Sequence, residues 1–177
     1  MEKTSLQTTQ YYQKIKELRA NRPQDHNNYT SFYDDDPMLG IDWSELKKVI
    51  SNHALNFASS VFNIRNKTPL INAWWNLYNV QNHHCWHNHS KSLMSGTFYV
   101  HMDKDSVGIE FKSPLESLIL AHSDQFGYNT RWEQSVKLFP ESGDLLIWPS
   151  WLDHSVPEQK TVGDNLRCSI SFNVSLR

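Results

Sequence analysis

Apolar and polar positions alternate most regularly at the end of the chain. Leu166, Cys168, Ile170, Phe172, Val174 and Leu176 are apolar, and Arg167, Ser169, Ser171, Asn173 and Ser175 stand between them. Successive side chains of a strand point to opposite faces. The run 165–176 therefore predicts a strand with one greasy face that can lie under helices. Its other face carries one cation, several hydroxyls and an amide. Further β-type runs at 70–80, 93–102, 107–112, 135–139 and 143–148 are separated by turn-type segments.

The first third of the chain has a different period. Within 5–21, Tyr11, Tyr12, Ile15 and Leu18 form a modest helical stripe. The stretch 22–40 holds two prolines, the run Asp34-Asp35-Asp36 and a glycine, and reads as loop. Asp42-Trp43-Ser44-Glu45 matches a capping box, in which Asp42 accepts backbone N–H bonds and Glu45 reaches back. Leu46, Val49, Ile50, Phe57 and Val61 supply an apolar face, so 43–62 is the expected main helix. Helices followed by several short strands imply a mainly β sandwich or barrel with the helices packed on one outer face. At 177 residues the chain suits one domain, with 1–68 as a helical support and 69–177 as the β core.

Composition narrows the function classes. The net charge is −2 and the 17 basic residues are scattered, so the electrostatic stripe of a dedicated nucleic-acid binder is missing. No apolar run approaches the roughly 20 residues that span a bilayer, and the first residues lack the apolar segment of a signal peptide. Cys85 and Cys168 do not make a disulfide framework and fit a reducing compartment. The expected location is the cytoplasm, or the host-cell cytoplasm for a phage-encoded protein. The oligomeric state is not legible; a homodimer is one option.

Histidine is unevenly placed. His83, His84, His87, His89 and His101 fall within 19 residues, and His122 and His154 follow. If 87–89 is extended, His87 and His89 leave the backbone on one side and can converge on an ion. His154, just past the strand 144–148, can complete the face of the metal and leave positions open for substrates. Cys85 shares the parity of His87 and His89, so a zinc site built from Cys85, His87, His89 and His154 is also chemically reasonable.

Arg167-Cys168-Ser169 follows His154 on the next extended run. A guanidinium is a planar fork suited to a carboxylate, and Ser169 on the same face can donate to that carboxylate. A strand carrying both toward a metal is a receptor for a small dicarboxylate. Without the histidines, the same strand would read as one with its polar face in water.

In this order the residues resemble the iron(II)/2-oxoglutarate-dependent dioxygenase superfamily. Within it they resemble a group of bacterial and phage oxygenases. That group shows a His-x-His, a Ser-Gly with an aromatic strand, a Gly-to-Pro-Ser-Trp-Leu-x-His segment, then Arg and Ser-Phe-Asn. Here these are His87-Asn88-His89, Ser95-Gly96 through Val100, Gly143 through Pro149-Ser150-Trp151-Leu152-Asp153-His154, and Arg167 with Ser171-Phe172-Asn173. The resemblance covers the stretch from Trp74 to Asn173. A looser similarity, to the AlkB-type branch, rests on Asn76-Leu77-Tyr78 ahead of the metal histidine.

The resemblance implies a double-stranded β-helix of jelly-roll, cupin-like type. It implies Fe(II) held by His87, His89 and His154, and 2-oxoglutarate held by Arg167 and Ser169 with Tyr78 and Asn76. It implies O2 and a small-molecule or peptide substrate as further partners. One position departs from the superfamily: its second ligand is usually Asp or Glu, and His89 stands there. Asp103, Asp105 and Glu110 are the nearby carboxylates that could substitute. The rival readings are a cupin-type isomerase or three-His dioxygenase that does not use 2-oxoglutarate, and a non-enzymatic jelly roll scaffolded by zinc. Arg167 discriminates against the first and metal analysis against the second.

Trp74, Trp75, Trp86, Trp148 and Trp151 lie near the site in sequence and either wall a dry pocket or fill the core. Residues 113–134, with Pro114, His122, Gly127, Arg131 and Trp132, read as an irregular connector that could cover the site.

Overall fold

A computed structural model describes residues 8–22, 29–116, 135–160 and 166–177. Among these residues, two helices precede eight strands: α1 (Thr8–Ala20), α2 (Ser44–Phe62), β1 (Pro69–Tyr78), β2 (His84–His87), β3 (Met94–His101), β4 (Ile109–Lys112), β5 (Ser135–Leu138), β6 (Leu145–Pro149), β7 (His154–Val156) and β8 (Arg167–Leu176). The strands form two four-stranded antiparallel sheets, β1-β8-β3-β6 and β2-β7-β4-β5. This is the jelly-roll arrangement, and both helices pack on the first sheet.

The alternation in β8 decides which side faces the helices. Cys168, Ile170, Phe172 and Val174 are fully buried and join Ile15, Leu46, Ile50, Ala54 and Ala58 in one core cluster. Each such large apolar side chain contributes roughly 1.5–3 kcal/mol by leaving water. Ala73, Trp75 and Leu77 of β1 and Met94, Phe98 and Val100 of β3 point the same way. Their neighbours of opposite parity point into the space between the sheets, which is where a site can form.

Gly96 lets this packing close. A Cβ built there would lie 2.3 Å from the Phe172 ring and 2.5 Å from the Leu146 carbonyl oxygen. The Gly96→Ala variant must shift β6 or the Phe172 ring. An overpacking loss of about 1–3 kcal/mol is expected, read as a lower midpoint in urea unfolding.

Three local expectations need correction. Asp42 and Glu45 do not form a capping box. Asp42 turns to Ser44, accepting its N–H at 3.1 Å, while Glu45 pairs with Lys48 at 2.6 Å. The helix begins one residue later, with Trp43 at its cap and no side-chain cap bond, because a nearby ammonium outcompetes the backbone for Glu45. Val61 is 53% exposed rather than part of the buried face. The true stripe is Leu46, Ile50, Ala54 and Ala58, whose last members are small enough for close approach to the sheet. Finally, the loop 22–40 is not only a connector. Thr30 bridges Asn76, Ser31 N–H donates to the Trp75 carbonyl at 3.0 Å, and Leu77 N–H donates to the Tyr29 carbonyl at 2.7 Å. These bonds cover the otherwise open edge of β1.

Of the irregular stretch 113–134, only 113–116 is described; His122, Gly127, Arg131 and Trp132 lie outside the described residues. No described helix is long and apolar enough to cross a membrane.

Candidate metal centre and cosubstrate cleft

The two sheets enclose a narrow cleft. One wall is the inner face of the first sheet, including Trp74, Asn76, Tyr78, Thr97, Arg167 and Ser169. The other is the inner face of the second, with His84, His87, Ile109, His154 and Val156.

Strands β2 and β7 were absent from the strands expected from sequence, yet they build the metal end. His87, last in β2, is directly paired with His154, first in β7. Their rings are 4.2 Å apart. His89 lies two residues past the strand, tethered by its N–H to the Ser150 carbonyl at 2.9 Å, and its ring is 5.0 Å from that of His87. Among the described residues, these three histidines form the group able to hold a metal, with ligand atoms within 4.8 Å of one another.

Their protonation suits that role. His87 Nδ1 lies 2.8 Å from the Cys85 carbonyl and His154 Nδ1 lies 2.9 Å from the Leu152 carbonyl. A carbonyl only accepts, so each Nδ1 carries the proton and each Nε2 lone pair is left for a ligand. Burial lowers His84, His89 and His154 to about 4, with crowding by other imidazoles adding to it, and lowers His87 as well. Neutral imidazole is the ligating form. Phe111 and Trp148 pack around the His154 ring at 6.1 and 5.0 Å.

Among the described residues, none of the carboxylates considered as substitutes for His89 joins the histidine group. Glu110 pairs across the strands with Lys137, and Asp103 accepts the Asp105 N–H at 2.8 Å. Cys85 is exposed and outside the group, which removes the Cys/His reading. A register irregularity between His84 and His87 breaks simple parity, so His84 rather than Cys85 stacks on His87, at 4.0 Å. Sequence reasoning missed His84 for that reason.

The other end of the cleft belongs to Arg167, which is 3% exposed. Its Nε donates to the Val107 carbonyl at 3.2 Å, and its guanidinium lies over Tyr78 at 4.7 Å and Tyr99 at 5.6 Å. Its Nη1 is buried with no hydrogen-bond partner, as is the Tyr99 hydroxyl. No described carboxylate forms an ion pair with it. Burial pushes the Tyr78 hydroxyl up to about 12 and raises Tyr99 further, so both remain donors. Tyr99 was not singled out from the sequence, although it shares the parity of Ser95 and Thr97. Register places Ser169 opposite both Asn76 and Tyr99. Asn76 is partly committed: its Oδ1 accepts from Thr30 Oγ1 at 2.8 Å and its Nδ2 donates to Ser171 Oγ at 3.1 Å. Of the tryptophans, Trp74 and Trp148 line the cleft, Trp75 is core, and Trp86 and Trp151 are 43% and 57% exposed.

A buried guanidinium without a counter-charge is costly unless an anion completes it. The donor set thus fits a dicarboxylate at one end and a divalent metal at the other. Fold and site together define a double-stranded β-helix of the non-haem metal oxygenase class. Residues 72–173, more than half of the chain, match the family model described as "Putative 2OG-Fe(II) oxygenase", and the protein belongs to that family.

Solved structures agree in fold. A prolyl-4-hydroxylase from Pseudomonas putida superposes with a TM-score of 0.60 at 12% identity, covering 96% of this chain and 81% of that one. A 2OG-Fe(II) oxygenase family oxidoreductase from Burkholderia pseudomallei gives 0.57 at 13%, covering 93% and 77%. HygX from Streptomyces hygroscopicus, solved with nickel and 2-oxoglutarate, gives 0.57 at 11%, covering 96% and 78%. No curated protein matches the sequence.

Proposed function

We propose that His87, His89 and His154 hold the Fe(II) of this oxygenase and that Arg167 receives the distal carboxylate of 2-oxoglutarate. The observation that carries this reading is the buried, unpartnered Nη1 of Arg167 at the opposite end of the cleft from three neutral imidazoles. Ser169 and the Tyr99 and Tyr78 hydroxyls surround the same carboxylate position, and Asn76 keeps one amide N–H for it. Bound Fe(II) supplies O2-dependent oxidation, in which 2-oxoglutarate leaves as succinate and CO2 and one oxygen atom enters a substrate C–H bond.

The chain's own residues orient and shield. The Nδ1–H bonds to Cys85 and Leu152 fix the tautomer and ring direction of two ligands. Ile109, Val156 and Trp148 keep the space between metal end and arginine apolar, which strengthens the carboxylate–guanidinium pair. No protein general base is required.

The substrate is a small molecule or a peptide side chain. Anaerobic addition of 2-oxoglutarate to the Fe(II)-loaded protein is expected to give a visible charge-transfer band. Iron bound with no band would sink the assignment of the cleft.

A further inference from the structure

A second cavity opens on the other side of the histidines. It has a volume of about 200 Å³ and shares His84, His87, His89, Trp74 and Asn76 with the cleft, but Arg167 and Ser169 do not line it. Its outer wall is the segment 29–33, held to β1 by the backbone bonds of Tyr29 and Ser31. An occupant would thus meet His87 and His89 from outside the cosubstrate cleft.

The lining has a definite chemistry. Tyr29, Phe32, Tyr33 and Trp74 supply ring surfaces. Phe32 meets Tyr33 at 86° and Trp74 at 71°, so the rings present faces and edges in different directions rather than stacking on each other. Phe32 and Tyr33 are 46% and 70% exposed at the mouth. Contiguous exposed aromatic surface at the rim of a cavity is a feature of ligand-binding grooves.

The amide and hydroxyl groups of Thr30, Asn76 and Asn88 are largely engaged with protein partners. Thr30 Oγ1 donates to Asn76 Oδ1 and accepts the Phe32 N–H at 3.2 Å, and Asn76 Nδ2 donates to Ser171. Asn88 Nδ2 donates to Asp153 Oδ1 at 2.7 Å. Among the described lining residues there is no Asp, Glu, Lys or Arg. Apart from a bound metal, those residues offer a charged ligand no counter-charge. A sugar could reach the Tyr29 and Tyr33 hydroxyls, Asn88 Oδ1 and the histidine rings, fewer groups than its hydroxyls need, and each polar group buried unpaired costs about 1–3 kcal/mol. A dry apolar cavity of about 150 Å³ is enough for benzene, so this one has room for a single or fused ring with a small substituent.

We infer that this chamber seats the primary substrate, and that it takes an uncharged, ring-bearing group, monocyclic or fused bicyclic. The inference rests on the metal assignment above only in naming the occupant a substrate; the chemistry of the chamber stands by itself.

The test uses metal-free protein and saturation-transfer NMR, so it does not depend on turnover. The probes are indole, N-acetyltryptophanamide, methyl α-glucoside and lysine. Indole or the amide should bind and the other two should not at equal concentration. The preferred ring probe tells whether the ring is free or peptide-borne. Phe32→Ala and Tyr33→Ala, both at exposed positions, should each weaken the ring probe by about tenfold, the loss expected for one aromatic contact. Glucoside or lysine binding as well as indole, or ring binding unchanged in both variants, would overturn the inference. So would the absence of ring binding. An intact 2-oxoglutarate band beside any of these results would show that the chamber reading has failed while the cleft reading stands.

Discussion

Arg167→Met should weaken 2-oxoglutarate binding by about 10²- to 10⁴-fold, the result of removing one partner from a buried charge pair worth about 3–5 kcal/mol when broken. Metal affinity should hardly change, since Arg167 lies at the far end of the cleft from the three histidines. The informative part is the stability of the ligand-free protein. Without cosubstrate, the guanidinium is buried with Nη1 unpartnered. Replacing an unpaired buried charge by an apolar side chain of similar length removes the cost of holding that charge out of water. Methionine also keeps a favourable contact with the Tyr78 and Tyr99 rings on which the guanidinium now lies. The variant should therefore unfold at the same temperature or higher while losing 2-oxoglutarate. Thermal unfolding of the metal-free proteins and anaerobic titration of the Fe(II) forms measure the two effects. Loss of iron with normal 2-oxoglutarate affinity would assign Arg167 to the wrong end of the site.

His154→Ala should lose metal by more than the roughly 10–100-fold that follows removal of a ligand's hydrogen-bonding partner, because the ligand itself is gone. His154 is 4% exposed, register-paired with His87 and enclosed by Phe111 and Trp148. His84→Ala is the matched control. His84 stacks on His87 at 4.0 Å yet stands outside the three-histidine group, so its loss should leave most of the metal bound. His89→Asp should retain metal and bind it more tightly than His89→Ala, since a carboxylate lowers the charge of the centre by one. Elemental analysis after dialysis against Fe(II), with calorimetry for the tighter variants, reads all four proteins. Equal metal loss from His84→Ala and His154→Ala would mean that the ligand set has been drawn wrongly.

The legible part of this site was whatever short-range periodicity carries. Arg167, Ser169 and Cys168 were sorted correctly between the two faces of β8 by parity alone, because a long strand paired on both sides cannot slip by one residue without inverting its burial. Asn76 and Tyr78 were sorted in the same way on β1. Parity failed where the strand is irregular. Between His84 and His87 the register shifts, and the ring that reaches the cleft is His84, not Cys85. The three-residue strand β7 and four-residue β2 are too short and too polar to show a period. They exist because each pairs with the other and β7 also with β4.

The jelly-roll type came with the family resemblance; from the pattern itself came a mainly β sandwich or barrel, the helices over one sheet, and a set of histidines with a distant arginine. Those follow from alternation, helical spacing and residue type, which are local properties. Only the tertiary structure decided how the set is used. It placed His87 beside His154 across a strand pair and left Arg167 buried without a counter-charge. It also folded the loop 29–33 against β1 to wall a second chamber. Each depends on which distant segments meet, and that is set by packing and backbone pairing over the whole chain rather than by any one stretch of it.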